Sequence, residues 1–186
     1  MIRSFSITTL FCMMFVAAIS IIGLNNACAA SGAELDREVD SALNTLFAKS
    51  QSAKVLAEKA KAILIFPAIT KAGFIVGGQY GQGALRENGK TVGYYSSAAA
   101  SYGLQAGIQK FGYALFFMTD SARTYLDRSD GWEIGAGPSI VVVDVGAAGS
   151  FTTTTAKSDV YAFFFSQKGL MAGIGLQGTK ITRINN

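Results

Sequence analysis

Histidine is missing from all 186 residues. That absence removes His-based triads, His general bases and His-ligated zinc together. Cysteine is nearly as scarce, with only Cys12 and Cys28, both inside or at the edge of the N-terminal segment. A chain cleaved beyond them has no thiol and builds its stability on a hydrophobic core instead of disulfides. Proline occurs twice, at Pro67 and Pro138, and no Pro- or Ser-rich linker, low-complexity tract or charge block divides the chain. Charged residues make up only 15 % of it, and its formal charge is +4. The cations are scattered, which is far from a nucleic-acid signature, so no nucleic-acid partner is expected.

What is present begins with a leader. Residues 1–29 carry Arg3 as their one charge, an apolar run from Ile7 to Leu24, and then Ala27-Cys28-Ala29. A basic start, an apolar middle and a small-residue exit are the layout of a secretory signal peptide. The expected cleavage follows Ala29, with Ala30 the neighbouring choice. Two rivals stand beside it. The run is nearly long enough to be a retained membrane anchor. Lipid attachment at Cys28 is the other, although Asn25 occupies the upstream position where a leucine-like residue is usual. Removing residues 1–29 takes one arginine from the formal +4 and leaves +3. Residues 30–186 then read as one domain.

Ser31-Gly-Ala-Glu34 has the pattern of a capping box. Behind it Leu35, Val39, Ala42, Leu43, Leu46 and Phe47 recur at three- and four-residue steps, predicting an amphipathic helix. Ser52 is expected to cap a second, shorter helix to about Lys61, with Lys54, Glu58, Lys59 and Lys61 outward. Ala62 to Pro67 is a compact apolar run that periodicity alone leaves as strand or helix end. Asn88-Gly89 between two strand-like runs predicts a tight hairpin. Residues 98–109 and Tyr113 to Met118 read as strands, and Asp120 is expected to cap a short helix from about Ser121 to Asp127. From Trp132 onward the pattern is almost all β, with Gln167-Lys168-Gly169 as a short hairpin loop.

The stretch Lys71-Ala-Gly-Phe-Ile-Val-Gly-Gly-Gln-Tyr-Gly-Gln-Gly83 is the most unusual. It places Gly77, Gly78, Gly81 and Gly83 within seven residues. Each interior glycine costs a helix about 1 kcal/mol against alanine. A strand accepts glycine where it bends sharply or where another backbone comes close. The expected fold is therefore α+β: a curved antiparallel β-sheet or partly closed barrel, flanked by N-terminal amphipathic helices and one short helix.

Several apparent chemical motifs dissolve on inspection. Gly173-x-Gly175-x-x-Gly178 matches a dinucleotide-binding pattern in letters, but no helix or later acid follows it. Asp120, Asp127, Asp130, Glu133, Asp144 and Asp159 fall as caps, turns or strand ends, and no pair forms an acid/base frame. Asp144 interrupts a valine run and either faces water or meets a cation. Tyr94, Tyr95, Tyr102 and Tyr113 suit sheet packing as well as a groove. No catalytic set, cofactor or metal is expected, which makes an enzyme the weakest reading. What remains is a surface. Lysines on an amphipathic helix suit contact with anionic lipid, and equally an ordinary solvated face. The candidate phosphate contacts are Lys54, Lys59 and Lys61, with Lys71 beside the glycine-rich strand as a fourth.

Four stretches together resemble the SYLF domain family, known in its eukaryotic members as an actin-binding domain. They are Ala60 to Pro67, Lys71 to Gly83, Gly131-Trp-Glu-Ile-Gly-Ala-Gly-Pro138 with its glycine-rich continuation, and Tyr161 to Gly178. The resemblance covers about residues 34–184. It implies a non-enzymatic lipid-binding domain. For a secreted member standing alone behind a signal peptide, it implies a phospholipid membrane surface of the cell envelope, exported or periplasmic, with actin not expected as a partner. Two other classes stay open: an envelope structural or protein-interaction module, and a small outer-membrane β-barrel. Uninterrupted runs such as Ile140–Val143 and Phe163–Phe165 depart from the alternation that membrane barrels need.

Overall fold

A computed structural model describes residues 31–128, 131–143, 158–169, 176 and 178–185. The leader, Asp144 and the Gly173-to-Gly175 part of the glycine motif lie outside these residues. Helices α1 (Gly32–Lys49) and α2 (Gln51–Ala57) precede the hairpin β1 (Ala62–Glu87) and β2 (Lys90–Phe117). Helix α3 (Asp120–Leu126) follows, then β3 (Trp132–Glu133), β4 (Ile140–Val143), β5 (Val160–Gly169) and β6 (Lys180–Ile184). The sheet order is β3-β6-β2-β5-β4, with β1 on the other edge of β2. The sheet curls into a half-barrel, as the α+β expectation required. It is mixed and not wholly antiparallel, because β4 runs parallel to β5.

The hairpin carries the architecture. Asn88 and Gly89 take φ of 49° and 77° at its turn, the positive values that an Asn-Gly hairpin needs. Pairing then runs from Glu87↔Lys90 to Ala62↔Phe117, with register shifts between Phe66 and Ile69 and between Phe74 and Val76. Pro67 therefore does not close the first apolar run. It sits in the bulge, where its missing N–H breaks no ladder bond, and the strand continues. The far edge of β2 is shared. Its first part, Tyr94 to Ala98, pairs with β6, and its last part, Gln109 to Phe117, pairs with β5.

Folding the hairpin across itself is what the glycines permit. A Cβ on Gly81 would lie 2.5 Å from the Ala68 carbonyl oxygen and from Ile69 Cδ1. One on Gly83 would overlap the Ile65 carbonyl oxygen and lie 2.7 Å from Phe66 Cδ1. The later half of β1 thus crosses its earlier half at backbone contact.

Both faces of this sheet are buried where it is most apolar. Ala62, Leu64, Phe66, Phe111, Tyr113, Leu115 and Phe117 face an inner core with Trp132 and the α3 residues Ala122 and Leu126. Ile65, Ala114, Phe116, Phe163 and Phe165 face outward against Leu35, Val39, Ala42 and Leu46 of α1. Two covered faces explain why Tyr113–Phe117 and Phe163–Phe165 do not alternate.

Caps differ from the sequence pattern. Ser31 makes no side-chain cap bond; its carbonyl accepts from the amides of Glu34 and Leu35 instead. Ser50, not Ser52, caps α2, its Oγ accepting from the Ala53 amide at 3.2 Å. The reason is that the two helices are joined by one extended residue, and only that residue has the non-helical backbone of a cap. Thr119 likewise replaces Asp120 as the cap of α3. Gln167 to Gly169 is not a loop: a kink at Ser166 (φ 54°) lets β5 continue, with Lys168 opposite Lys110.

Polar clamps hold the helices to the hairpin. Asp36 of α1 accepts from Thr91 Oγ1 at 2.7 Å and Tyr94 Oη at 3.2 Å. On α3, Arg123 pairs with Glu87 and Asp127, and Tyr95 Oη donates to Asp127 at 2.9 Å. Burial works against ionisation of Asp127. The hydrogen bonds from Arg123 and Tyr95 and the charges of Arg123 and Arg183 outweigh it, so the carboxyl sits below its ordinary 3.8. A carboxylate depressed on folding contributes stability that is complete above its unfolded pKa and lost as pH falls through the folded one. The urea midpoint should therefore fall as pH drops below about 4. Asp127→Asn should make that decline shallower, and parallel acid limbs for the two proteins would refute the clamp's role.

Candidate lipid-contacting surface

The sequence-predicted lysines fall into two environments. Lys54 is exposed on α2, opposite the buried Ala53 and Leu56. The Lys59 and Ala60 amides both bond the Leu56 carbonyl, at 3.1 and 2.9 Å, which turns the chain out of the helix with the Lys59 side chain in solvent. The Lys61 amide then bonds the Phe117 carbonyl at 2.8 Å and starts β1. Its Nζ lies 3.4 Å from Asp120 Oδ2, with the two side chains 52 % and 82 % exposed. An ion pair this open to water is weak and salt-screened. These three lysines thus gather at the junction of α2 and β1, with the exposed Glu58 among them.

Lys71 stands apart. It is only 7 % exposed, on the inner face of β1 opposite Gln109, itself 3 % exposed. That face is interior because the bulge after Phe66 puts Ile69 and Lys71 on the side of the core.

Beside Lys61 runs a groove of about 320 Å³. Leu43, Phe47 and Ile63 supply its apolar lining, and Asp40, Glu58, Lys61 and Arg86 its polar one. Arg86 was not expected from the sequence. It donates to Asp40 Oδ1 at 2.6 Å and to the Asp36 carbonyl at 3.2 Å, while its buried Nε has no hydrogen-bond partner among the described residues. One arginine near a hairpin turn gives no sequence signal of this, because its partners lie 46 and 50 residues away.

Among the described residues no group of His, Cys, Asp or Glu could hold a metal ion, and no helix is long and apolar enough to cross a membrane. The buried tyrosines serve the fold. Burial pushes the Tyr113 hydroxyl well above its ordinary pKa, only partly offset by its 2.7 Å bond to Ser97 Oγ. Burial and the bond to Asp127 push Tyr95 up to about 12. Both stay protonated at neutral pH, so neither is poised as a base.

A family model named Ysc84, described as Las17-binding protein actin regulator, matches residues 98–186. The match supports the SYLF resemblance and takes in β2 from Ala98 onward and the elements that follow it. A search of curated proteins found no match.

Proposed function

We propose, from the SYLF-family assignment that the match over residues 98–186 supports, that this chain is a non-enzymatic lipid-binding protein of the cell envelope. It contacts anionic phospholipid through the α2–β1 junction. The observation that carries the reading is the exposure of Lys54 on α2 and of Lys59 and Lys61 on the turn into β1, with Lys61 on the rim of a partly apolar groove. A basic rim over apolar surface fits an interfacial contact, in which phosphates meet ammonium groups and the underside reaches the acyl boundary. Lys71, being buried, would reach a headgroup only if the inner face opened. Export by the leader at residues 1–29 would bring the chain to such a membrane, with lipidation of Cys28 the less favoured route. The family model's description concerns actin regulation; an exported chain would not meet actin, and we propose none as its partner. A protein partner at the same surface is the competing reading.

The test is co-sedimentation of residues 30–186 with anionic and with zwitterionic vesicles, at low and high salt. Binding should require anionic lipid and fade with salt. Each lysine near an anionic surface contributes about 1 kcal/mol, so Lys54→Glu, Lys59→Glu and Lys61→Glu combined should weaken partitioning on the order of a hundredfold. An unchanged, folded triple variant would remove the site. No sedimentation of the parent protein with any vesicle would remove the function.

A further inference from the structure

The outer sheet face is covered by α1 only as far as Pro67 and Phe165. Beyond them several of its described side chains are exposed. Ala68, Thr70 and Ala72 of β1 are exposed, as are Ile108 and Lys110 of β2 and Lys168 of β5. Two observations set this patch apart from an ordinary solvated face. Ile108 is 66 % exposed and Val76, farther along β1, is 63 % exposed, the two most exposed large apolar side chains among the described residues. Two residues from Ile108 on β2, Lys110 and Lys168 are direct cross-strand partners. Partners in register project from the same face, with Cβ atoms roughly 5 Å apart, and like charges so placed repel. Neither makes an ion pair among the described residues. Lys110's other cross-strand neighbour is Thr70, which carries no charge.

We infer that this exposed corner of the hairpin is a second membrane-contact site, in which Lys110 and Lys168 clasp lipid phosphate while Ile108 enters the acyl boundary. The inference rests on the lipid-binding reading above and adds a surface to it. An anionic headgroup supplies the charge that the facing lysines lack. The lipid interior takes up apolar side chains that water otherwise covers, which favours a bilayer over a soluble anion. The corner lies about eight residues along β1 from Lys61, up to roughly 25 Å away at ~3.3 Å per residue. It is therefore a separate point of attachment, and two points fix the orientation of a curled sheet on a membrane where one would leave it free to swivel.

The experiment compares Lys110→Glu/Lys168→Glu with the parent and with the helical triple variant, on anionic vesicles at low salt. A single Ile108→Trp variant is titrated with vesicles whose acyl chains carry bromine. All these side chains are exposed, so thermal unfolding should stay at the parent temperature and confirm intact folds. The charge-reversed pair should bind at least about tenfold more weakly, and the new indole should shift to the blue and be quenched by brominated chains. Parent-like binding by the pair, with an unquenched indole, overturns the corner; if the helical triple variant still loses binding, the lipid reading itself survives. A parent protein that binds no vesicle overturns both. The corner also falls if Ile108→Asp dissolves a concentration-dependent dimer and leaves vesicle binding intact, since its occupant would then be a second copy of the chain.

Discussion

Gly83→Ala should cost the protein more than about 3 kcal/mol, although it adds a single methyl group to a strand. The new Cβ would overlap the Ile65 carbonyl oxygen and stand 2.7 Å from Phe66 Cδ1 and 2.9 Å from the Ile65 carbonyl carbon. The ring could move; the backbone of the same strand cannot move without undoing the crossing that closes the core. Domains are stable by only about 5–15 kcal/mol, so a large share of the margin would go. Gly78→Ala is the matched control. Its Cβ would meet nothing closer than the Ala99 carbonyl oxygen at 3.8 Å. With a smaller unfolded-state entropy, that variant should be neutral or up to about 1 kcal/mol more stable. Urea denaturation of the pair decides the matter. Equal midpoints would mean that the hairpin does not fold over itself as described.

Trp132→Ala should be comparably severe, at about 3–5 kcal/mol. The chain's single tryptophan is 1 % exposed in the inner core. Its ring lies 5.8 Å from that of Phe117 and 6.4 Å, edge-on, from that of Tyr125. Its indole N–H donates to the Ala136 carbonyl at 2.9 Å, tying the loop after β3 to the sheet. Alanine removes the packing, the hydrogen bond and the link between α3 and that loop. Phenylalanine keeps most of the apolar volume and should lose only about 1–2 kcal/mol. At roughly 2–4 °C per kcal/mol for a chain of this size, alanine should lower the melting temperature by about 6–20 °C. A smaller drop for alanine than for phenylalanine would contradict the packing described.

Local chemistry in the sequence determined a good deal. The periodicity of Leu35 to Phe47 became the face of α1 that covers the sheet, because burial on a helix obeys a short repeat. Asn88-Gly89 became the hairpin turn, because both positions need positive φ. Glycine density announced a sharply curved strand, and the crossing of β1 over itself is the close approach it called for. The exposure of Lys54 also followed from helix geometry, whereas the expected helix to Lys61 ends at Ala57, and Lys59 and Lys61 are exposed on the turn into β1.

Tertiary structure decided what no local rule reaches. Which serine caps α2 depended on where the helices meet, and the direction of β4 beside β5 depended on long-range pairing. Lys71 looked as available as the other lysines, yet a one-residue bulge at Pro67 reversed the faces of β1 and turned it inward. The same reversal left Thr70 and Ala72 bare, next to the Lys110 and Lys168 that β2 and β5 bring face to face from 58 positions apart. A strand's sequence specifies two faces by alternation. Which of them meets water is settled by bulges and by what folds against it, and those depend on the whole chain.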